Sequence, residues 1–232
     1  TWYKVSQGQL QFLPDWPQLT GIEADVEVRD GNVKVSARKA SISSIKLRSA
    51  SASVEQSAGA GALLRLNANA DTSTADGLAF LRNTPVRDNI GSMLDNWTGK
   101  GDLDIDVALE FPLGSDVSQL QIAVDVLSKE SEIFIPEFAL NIESINGQVR
   151  YQNDTGLAAT ALKATLFDYP VVADIETRAD PELGPSTRIN SKGLASVNAL
   201  RDWSMQPDFV AGLLASMSGE IDYTALLDIG RG

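Results

Sequence analysis

The stretch GDLDIDVALEF, residues 101–111, alternates between two kinds of side chain. One parity is apolar and consists of Leu103, Ile105, Val107, Leu109 and Phe111. The other parity carries carboxylates at Asp102, Asp104, Asp106 and Glu110. Successive side chains of a β-strand point to opposite faces of its sheet. The stretch is therefore predicted to be a strand with one apolar and one acidic face.

The same two-residue period recurs along the chain. Runs with this period lie at 22–28, 33–37, 120–126, 145–151 and 221–227. Asp30-Gly31 separates the first two runs and predicts a tight hairpin, because glycine tolerates the positive φ of a primed turn. The stretch 40–62 is rich in Ser and Ala and is predicted to form strands with small side chains. The chain is expected to be mainly β.

Helical patterns occur in two regions. In the first, Asp76 is predicted to cap a short helix that runs from Leu78 to Leu81. Thr84 and Pro85 then supply a cap and a favoured first-turn proline for a second helical segment, with Val86, Ile90, Met93 and Leu94 at helical spacing. The second region has apolar residues at Leu194, Val197, Leu200, Phe209, Val210, Leu213 and Leu214. We expect short helical inserts at 76–96 and 194–217.

Three blocks of the first half reappear in the same order in the second half. LTGI at 19–22, KASI at 39–42 and GDLDI at 101–105 match IESI at 142–145, KATL at 163–166 and GEIDY at 219–223. Their offsets range from 118 to 124 residues. The pattern predicts two tandem repeat units, 1–116 and 117–232, each with one helical insert. Units that share one sheet would give an elongated, curved antiparallel sheet.

Composition argues against several classes of function. The 31 acidic and 19 basic residues give a net charge of −12, so neither nucleic acid nor an anionic bilayer surface is expected as a direct partner. The chain has no histidine and no cysteine, which removes the commonest general base, Ser-His-Asp triads and most zinc sites. We expect no enzymatic activity, cofactor or metal. A carboxylate pair that cleaves glycosides is the remaining enzymatic hypothesis.

The acidic row does not fit a calcium loop. Asp102, Asp104 and Asp106 match the opening of such a loop, but Val107 and Leu113 stand where glycine and a bidentate glutamate are required. A solvated strand face is therefore favoured.

The sequence also contains neither a membrane-spanning apolar run nor a signal peptide, and we expect it to be a fragment of a longer protein.

The apolar row must be covered, because burial of each such side chain contributes about 1.5 to 3 kcal/mol. A second sheet would cover it in a β-sandwich, which composition favours. In an open, curved sheet, a lipid would cover part of it instead. The residues alone leave both arrangements open.

Several motifs bear on this choice. FLPDWPQLTGI at 12–22 is followed by LRNTPVR at 81–87, WTGKG at 97–101, LEFPL at 109–113, INGQVRY at 145–151 and GEIDYTA at 219–225. In this order they resemble the repeats of the large bacterial AsmA-like proteins of the YhdP type, over nearly the whole chain. The second unit departs from this pattern, because IPEF at 135–138 lacks the Trp-Pro pair.

The resemblance implies a periplasmic segment of a bridge-like lipid-transfer protein whose full length is anchored in the inner membrane. Its folded-over β groove would carry phospholipid between the inner and outer membranes of a Gram-negative envelope. Its partners would be phospholipid acyl chains and neighbouring repeats of the same longer chain. The candidate groove residues are Val26, Val28, Leu103, Ile105, Val107, Leu109, Ile122, Val124, Val149 and Tyr151. The alternative is a structural or adhesive β-sandwich module with a protein partner.

Overall fold

The computed structural model describes residues 1–11, 16–57, 61–84, 87, 94–114, 119–178, 186–206 and 208–230. Its strands are β1 (Trp2–Leu10), β2 (Leu19–Arg29), β3 (Asn32–Ile42), β4 (Ile45–Ser57), β5 (Gly61–Ser73), β6 (Thr98–Leu113), β7 (Gln121–Ile135), β8 (Leu140–Gln152), β9 (Gly156–Leu166), β10 (Tyr169–Arg178), β11 (Ser186–Ser196) and β12 (Glu220–Gly230). Its helices are α1 (Thr74–Arg82), α2 (Val197–Asp202) and α3 (Asp208–Leu214), and a 3-10 turn lies at Pro136–Phe138.

All of these strands belong to one antiparallel sheet in which each strand pairs with its neighbours in sequence. Among the described strands, β1 and β12 each have a single partner, so the sheet has two free edges and is not closed. Twelve strands spaced about 4.8 Å apart give about 53 Å between the two edges. This confirms the prediction of a mainly β, elongated antiparallel sheet.

The hairpin prediction is also confirmed. Asp30 and Gly31 have φ values of 49° and 80°, and they join β2 to β3 where Arg29 pairs with Asn32. Positive φ at both central residues is the requirement of a type I′ turn. The turn therefore fixes the register in which the apolar residues of β2 face those of β3.

Register shifts bend the sheet. They occur in seven of the eleven strand pairs. Residues with positive φ lie beside several of them, at Gln7, Glu130, Ser144 and Ala161. A bulge places an extra residue in one strand and bends it locally. The sheet is therefore curved, as the sequence predicted.

The described strands do not pack against a second sheet. Within the described residues, the main strand contacts join neighbours in the sheet, with one minor addition between β9 and β11. The accessible surface is 13942 Å², whereas a compact 24.8 kDa monomer would expose about 10,200 Å². The closed sandwich that composition favoured, on which the adhesive-module alternative depended, is therefore wrong.

The first insert begins earlier than predicted. Ser73, not Asp76, is the N-cap of α1, and its Oγ accepts a hydrogen bond from the Asp76 backbone N–H at 3.1 Å. Asp76 lies in the first turn, where the Ser73 hydroxyl donates to its carboxylate at 2.7 Å and lowers its pKa. Leu78 is buried. Residues 85, 86, 90 and 93 of the second predicted helical segment lie outside the described residues.

The second insert contains two short helices. Ser196 caps α2 by accepting a hydrogen bond from the Ala199 N–H at 3.4 Å. The prediction that Leu194 is helical is wrong, because Leu194 pairs with Asp222 in the ladder between β11 and β12. β5 and β11 run in the same direction in an antiparallel meander, so both inserts lie at one end of the sheet. This end is termed the helical end.

Candidate functional site

One face of the sheet is apolar across its width. Directly paired residues of neighbouring strands point to the same face, so the pairings trace rows across the sheet. One row crosses ten strands without a polar side chain: Ala40, Leu47, Ala70, Ile105, Val126, Val149, Ala159, Ile175, Ile189 and Leu227. This row is termed the long row. At about 4.8 Å per strand it measures about 43 Å.

Further apolar rows run parallel to the long row on the same face, which is termed the apolar face. One crosses nine strands, at Val5, Ala24, Ala37, Ala50, Ala68, Val107, Val124, Tyr151 and Leu157. Another crosses seven, at Tyr3, Val26, Val35, Ala52, Leu66, Leu109 and Ile122. The rows run perpendicular to the strands, so the apolar surface is continuous along the axis on which strands are added.

The structure brings the predicted groove residues together on the apolar face. All ten lie on it: Val26, Val28, Leu103, Ile105, Val107, Leu109, Ile122, Val124, Val149 and Tyr151. Leu103 packs beneath α1, since a methyl group added at Gly77 would lie 3.5 Å from Leu103 Cδ1. Sequence reasoning missed the alanines of β3 to β5 and the apolar residues of β9 to β12. Contact with lipid stays a prediction for all of them.

The apolar face has little cover from the rest of the described chain. The ten predicted groove residues are all partly exposed. Among the residues that the structure describes, thirteen apolar residues are buried, and six of them are alanines. Five of the others lie at the helical end: Ile45, Leu78, Ile135, Val197 and Leu214. The compact core is therefore concentrated at the helical end, whereas the predicted groove residues on the rest of the apolar face are partly exposed.

The opposite face is polar and carries cross-strand ion pairs. The acidic parity of β6 takes part in this network: Asp104 accepts from Lys129 at 2.6 Å, and Glu110 accepts from Arg65 at 2.9 Å. The Lys129 hydrogen bond lowers the pKa of Asp104. Within the described residues, no group of three or more potential ligands is placed to hold a metal ion. The carboxylates therefore form a solvated, cross-strand paired face.

One carboxyl on this polar face has a raised pKa. Asp71 lies directly opposite Asp104, and a hydrogen bond between the two carboxyls raises the pKa of Asp71. Arg48 bridges both, at 2.8 Å from Asp71 and 3.2 Å from Asp104. Lys129 also contacts Asp104, so the arrangement is that of two carboxyls held across a ladder beside two cations.

At the helical end, aromatic contacts join the inserts to the strand connections. The rings of Trp16 and Phe80 are 6.2 Å apart, which ties the β1–β2 connection to α1. The Trp203 Nε1–H, after α2, donates to the Phe138 carbonyl at 2.7 Å, and its ring is 5.6 Å from that of Phe167. An apolar cavity of about 390 Å³ lies between α2, α3 and the start of β12. These contacts join both inserts to strand connections at the helical end.

Comparisons with known proteins agree on one family. The family described as YhdP protein matches residues 1–231. The chain is similar to the intermembrane phospholipid transporter YhdP of Escherichia coli (strain K12), at 19% identity over 187 residues. This match covers 76% of the chain and 14% of the length of that relative. No solved structure matches the chain. No helix in the described ranges is long and apolar enough to cross a membrane.

Proposed function

The chain belongs to the YhdP family, and on this basis we propose that it is a segment of a conduit that carries phospholipid between the inner and outer membranes of a Gram-negative envelope. The observation that carries the proposal is the long row, in which ten successive strands each present an apolar side chain on a face with little cover. The relative named as a phospholipid transporter supports the ligand class.

Acyl chains would lie against the apolar face along its rows. Each methylene removed from water contributes about 0.8 kcal/mol, so the face and the lipid cover each other. Neighbouring positions of a row are about 4.8 Å apart and chemically alike. An acyl chain that advances by one strand exchanges one set of apolar contacts for an equivalent set, so the net free energy change of each step is close to zero. The lipid moves without any bond being made or broken.

We also propose that the chain consists of the two tandem units 1–116 and 117–232. Each range contains six strands, and its helical insert lies between the fifth and the sixth. The N-caps Ser73 and Ser196 precede the inserts, and Gly101 and Gly219, both with positive φ, lie near the start of the strand that follows. The full-length protein would be anchored in the inner membrane, with this segment in the periplasm and further repeats beside it.

The test compares aspartates at two successive residues of β6. Val107→Asp places a charge on the apolar face, between Ala68 and Val124. Ala108→Asp places the same charge on the polar face, between Asn67 and Ala123. A lipid on the apolar face would have to desolvate the first charge but not the second.

The measurement is native mass spectrometry of the full-length protein extracted in a mild detergent, together with phospholipid transfer between vesicles. We expect wild type and Ala108→Asp to retain bound phospholipid and Val107→Asp to lose most of it, with the β-sheet circular dichroism unchanged. The proposal is wrong if wild type carries no phospholipid or if the two variants retain it equally. If Val107→Asp unfolds the protein, Val107 is a core residue and not part of the lining.

A further inference from the structure

The second insert carries an exposed apolar surface. Phe209 is 79% exposed, Leu213 is 62% exposed, and Met205 and Met217 on either side of α3 are 51% and 40% exposed. Phe209 and Leu213 are four residues apart and share one side of α3. These four residues are termed the α3 patch. A cluster of large exposed apolar side chains of this kind marks an interaction surface.

The first insert has neighbours on two sides. On one side, Phe80 of α1 packs against Trp16, which belongs to the β1–β2 connection of the same unit. On the other side, α1 reaches β7, the first strand of the second unit. Asn96 Nδ2, later in the same insert, donates to Glu137 Oε1 in the β7–β8 connection at 3.2 Å. An insert therefore contacts the first strand connection of its own unit and also that of the next unit.

The second insert, like the first, contacts strand connections of its own unit. Trp203 contacts Phe138 and Phe167, which lie in connections of its own unit. In the described part of the chain, β12 has no partner on its far side. The α3 patch is exposed beside it, and the long row ends at that edge on Leu227, which is 37% exposed. In the first unit, β7 pairs with the last strand, and the β7–β8 connection contacts the insert. Within the described residues, the edge of β12 and the α3 patch have no equivalent neighbour.

We propose that the α3 patch and the free edge of β12 together dock the first strand and first strand connection of a third unit that follows this chain in the same polypeptide. This inference rests on the tandem arrangement proposed above. The occupant is a strand connection like Pro136–Phe138, in which Pro136 and Phe138 supply apolar side chains on either side of Glu137. This chain spans 14% of the length of the curated relative, which leaves ample polypeptide for further units. Such a strand would also continue the long row beyond Leu227.

The test is site-specific photo-crosslinking in the full-length protein with p-benzoylphenylalanine at one of three positions. At Phe209 we expect a crosslink to a peptide of the same polypeptide beyond residue 232, within the first strand connection after β12. At Phe80 we expect a crosslink to the β1–β2 connection that holds Trp16, which serves as the control. At Val107 we expect a crosslink to phospholipid, which tests the conduit separately.

The Phe209 result decides the docking proposal. A crosslink to a second copy of the chain, to another protein or to phospholipid would overturn it, as would no crosslink at Phe209 when Phe80 reacts. Dilution of the protein distinguishes a second copy, because an intramolecular crosslink keeps its yield. Loss of the lipid crosslink at Val107 with the Phe209 crosslink intact would instead contradict the conduit and leave the docking surface standing.

Discussion

Replacement of Gly101 by alanine should destabilise the junction between α1 and the sheet. Gly101, near the start of β6, has a φ of 95°, and a Cβ there would lie 2.7 Å from Ser131 Cα and 3.0 Å from the Glu130 carbonyl oxygen. Ser131 is 1% exposed, so it has no room to move away. The Thr74 hydroxyl of α1 donates to the Gly101 carbonyl at 3.1 Å, so a shift of this backbone would also disturb the helix.

Two terms set the size of the effect. A residue with a side chain at positive φ costs about 1–2 kcal/mol, and overpacking against backbone costs about 1–3 kcal/mol more. The sum for Gly101→Ala is about 2–5 kcal/mol. Gly114→Ala is the matched control, because Gly114 has a φ of 85° and, apart from its chain neighbours, no described residue lies within 4 Å of its added Cβ. That variant should lose only the backbone term, about 1–2 kcal/mol.

Thermal melting followed by circular dichroism measures the difference. At about 2–4 °C per kcal/mol for a domain of this size, the steric term should lower the melting temperature of Gly101→Ala by about 2–12 °C below that of Gly114→Ala. The reasoning is refuted if the two variants melt together, because β6 and β7 would then not approach closely at Gly101.

Three further outcomes are expected. Val107→Trp should leave the melting temperature almost unchanged, because an uncovered face accepts a larger side chain; a fall worth about 1–3 kcal/mol would show that Val107 is packed in a covered core. Arg150 lowers the pKa of Asp125 below its ordinary value of 3.8, so stability from this pair is present above that value and lost as pH falls through the lowered pKa. Melting temperatures should therefore fall below about pH 4, and less steeply in Asp125→Asn. Trp203→Phe keeps an aromatic side chain but removes the indole N–H that donates to the Phe138 carbonyl. Amide hydrogen exchange in 197–214 should therefore become faster, while exchange in β2 to β5 stays unchanged. Faster exchange in both regions would place Trp203 in the core of the whole sheet.

The two faces of the sheet could be predicted where both parities carry strong signals. In β6, aliphatic residues alternate with carboxylates, so the strand and its apolar side follow from sequence. In β3 to β5 the same row is made of alanines such as Ala37, Ala50 and Ala68. Alanine side chains distinguish a buried face from an exposed one only weakly, and their role appears only when the pairing register aligns them with Val107.

The choice between a sandwich and an open sheet could not be made from periodicity. A strand covered by a second sheet and a strand covered by lipid show the same alternation, because both bury one parity.

The first residue of α1 was also difficult to predict from sequence. Ser73 and Asp76 are both good capping residues, they stand three positions apart, and each hydrogen bonds to the other in the structure. Which of them is the N-cap depends on where the β5 ladder ends.

The ion pairs of the polar face bear on how the apolar rows stay continuous. Arg150 and Asp125 are direct cross-strand partners, as are Arg188 and Asp228, with N–O distances of 2.7 and 2.6 Å. Exposed pairs of this kind contribute little to stability, about 0–1 kcal/mol. Their effect on register is larger, because a one-residue slip would turn a carboxylate onto the apolar face, in place of Val126 in the long row. A conduit that grows by adding strands needs every pair of strands in register, since one slipped strand interrupts the path for all the others. The acidic parity of β6 and its neighbours therefore keeps the aliphatic parity aligned.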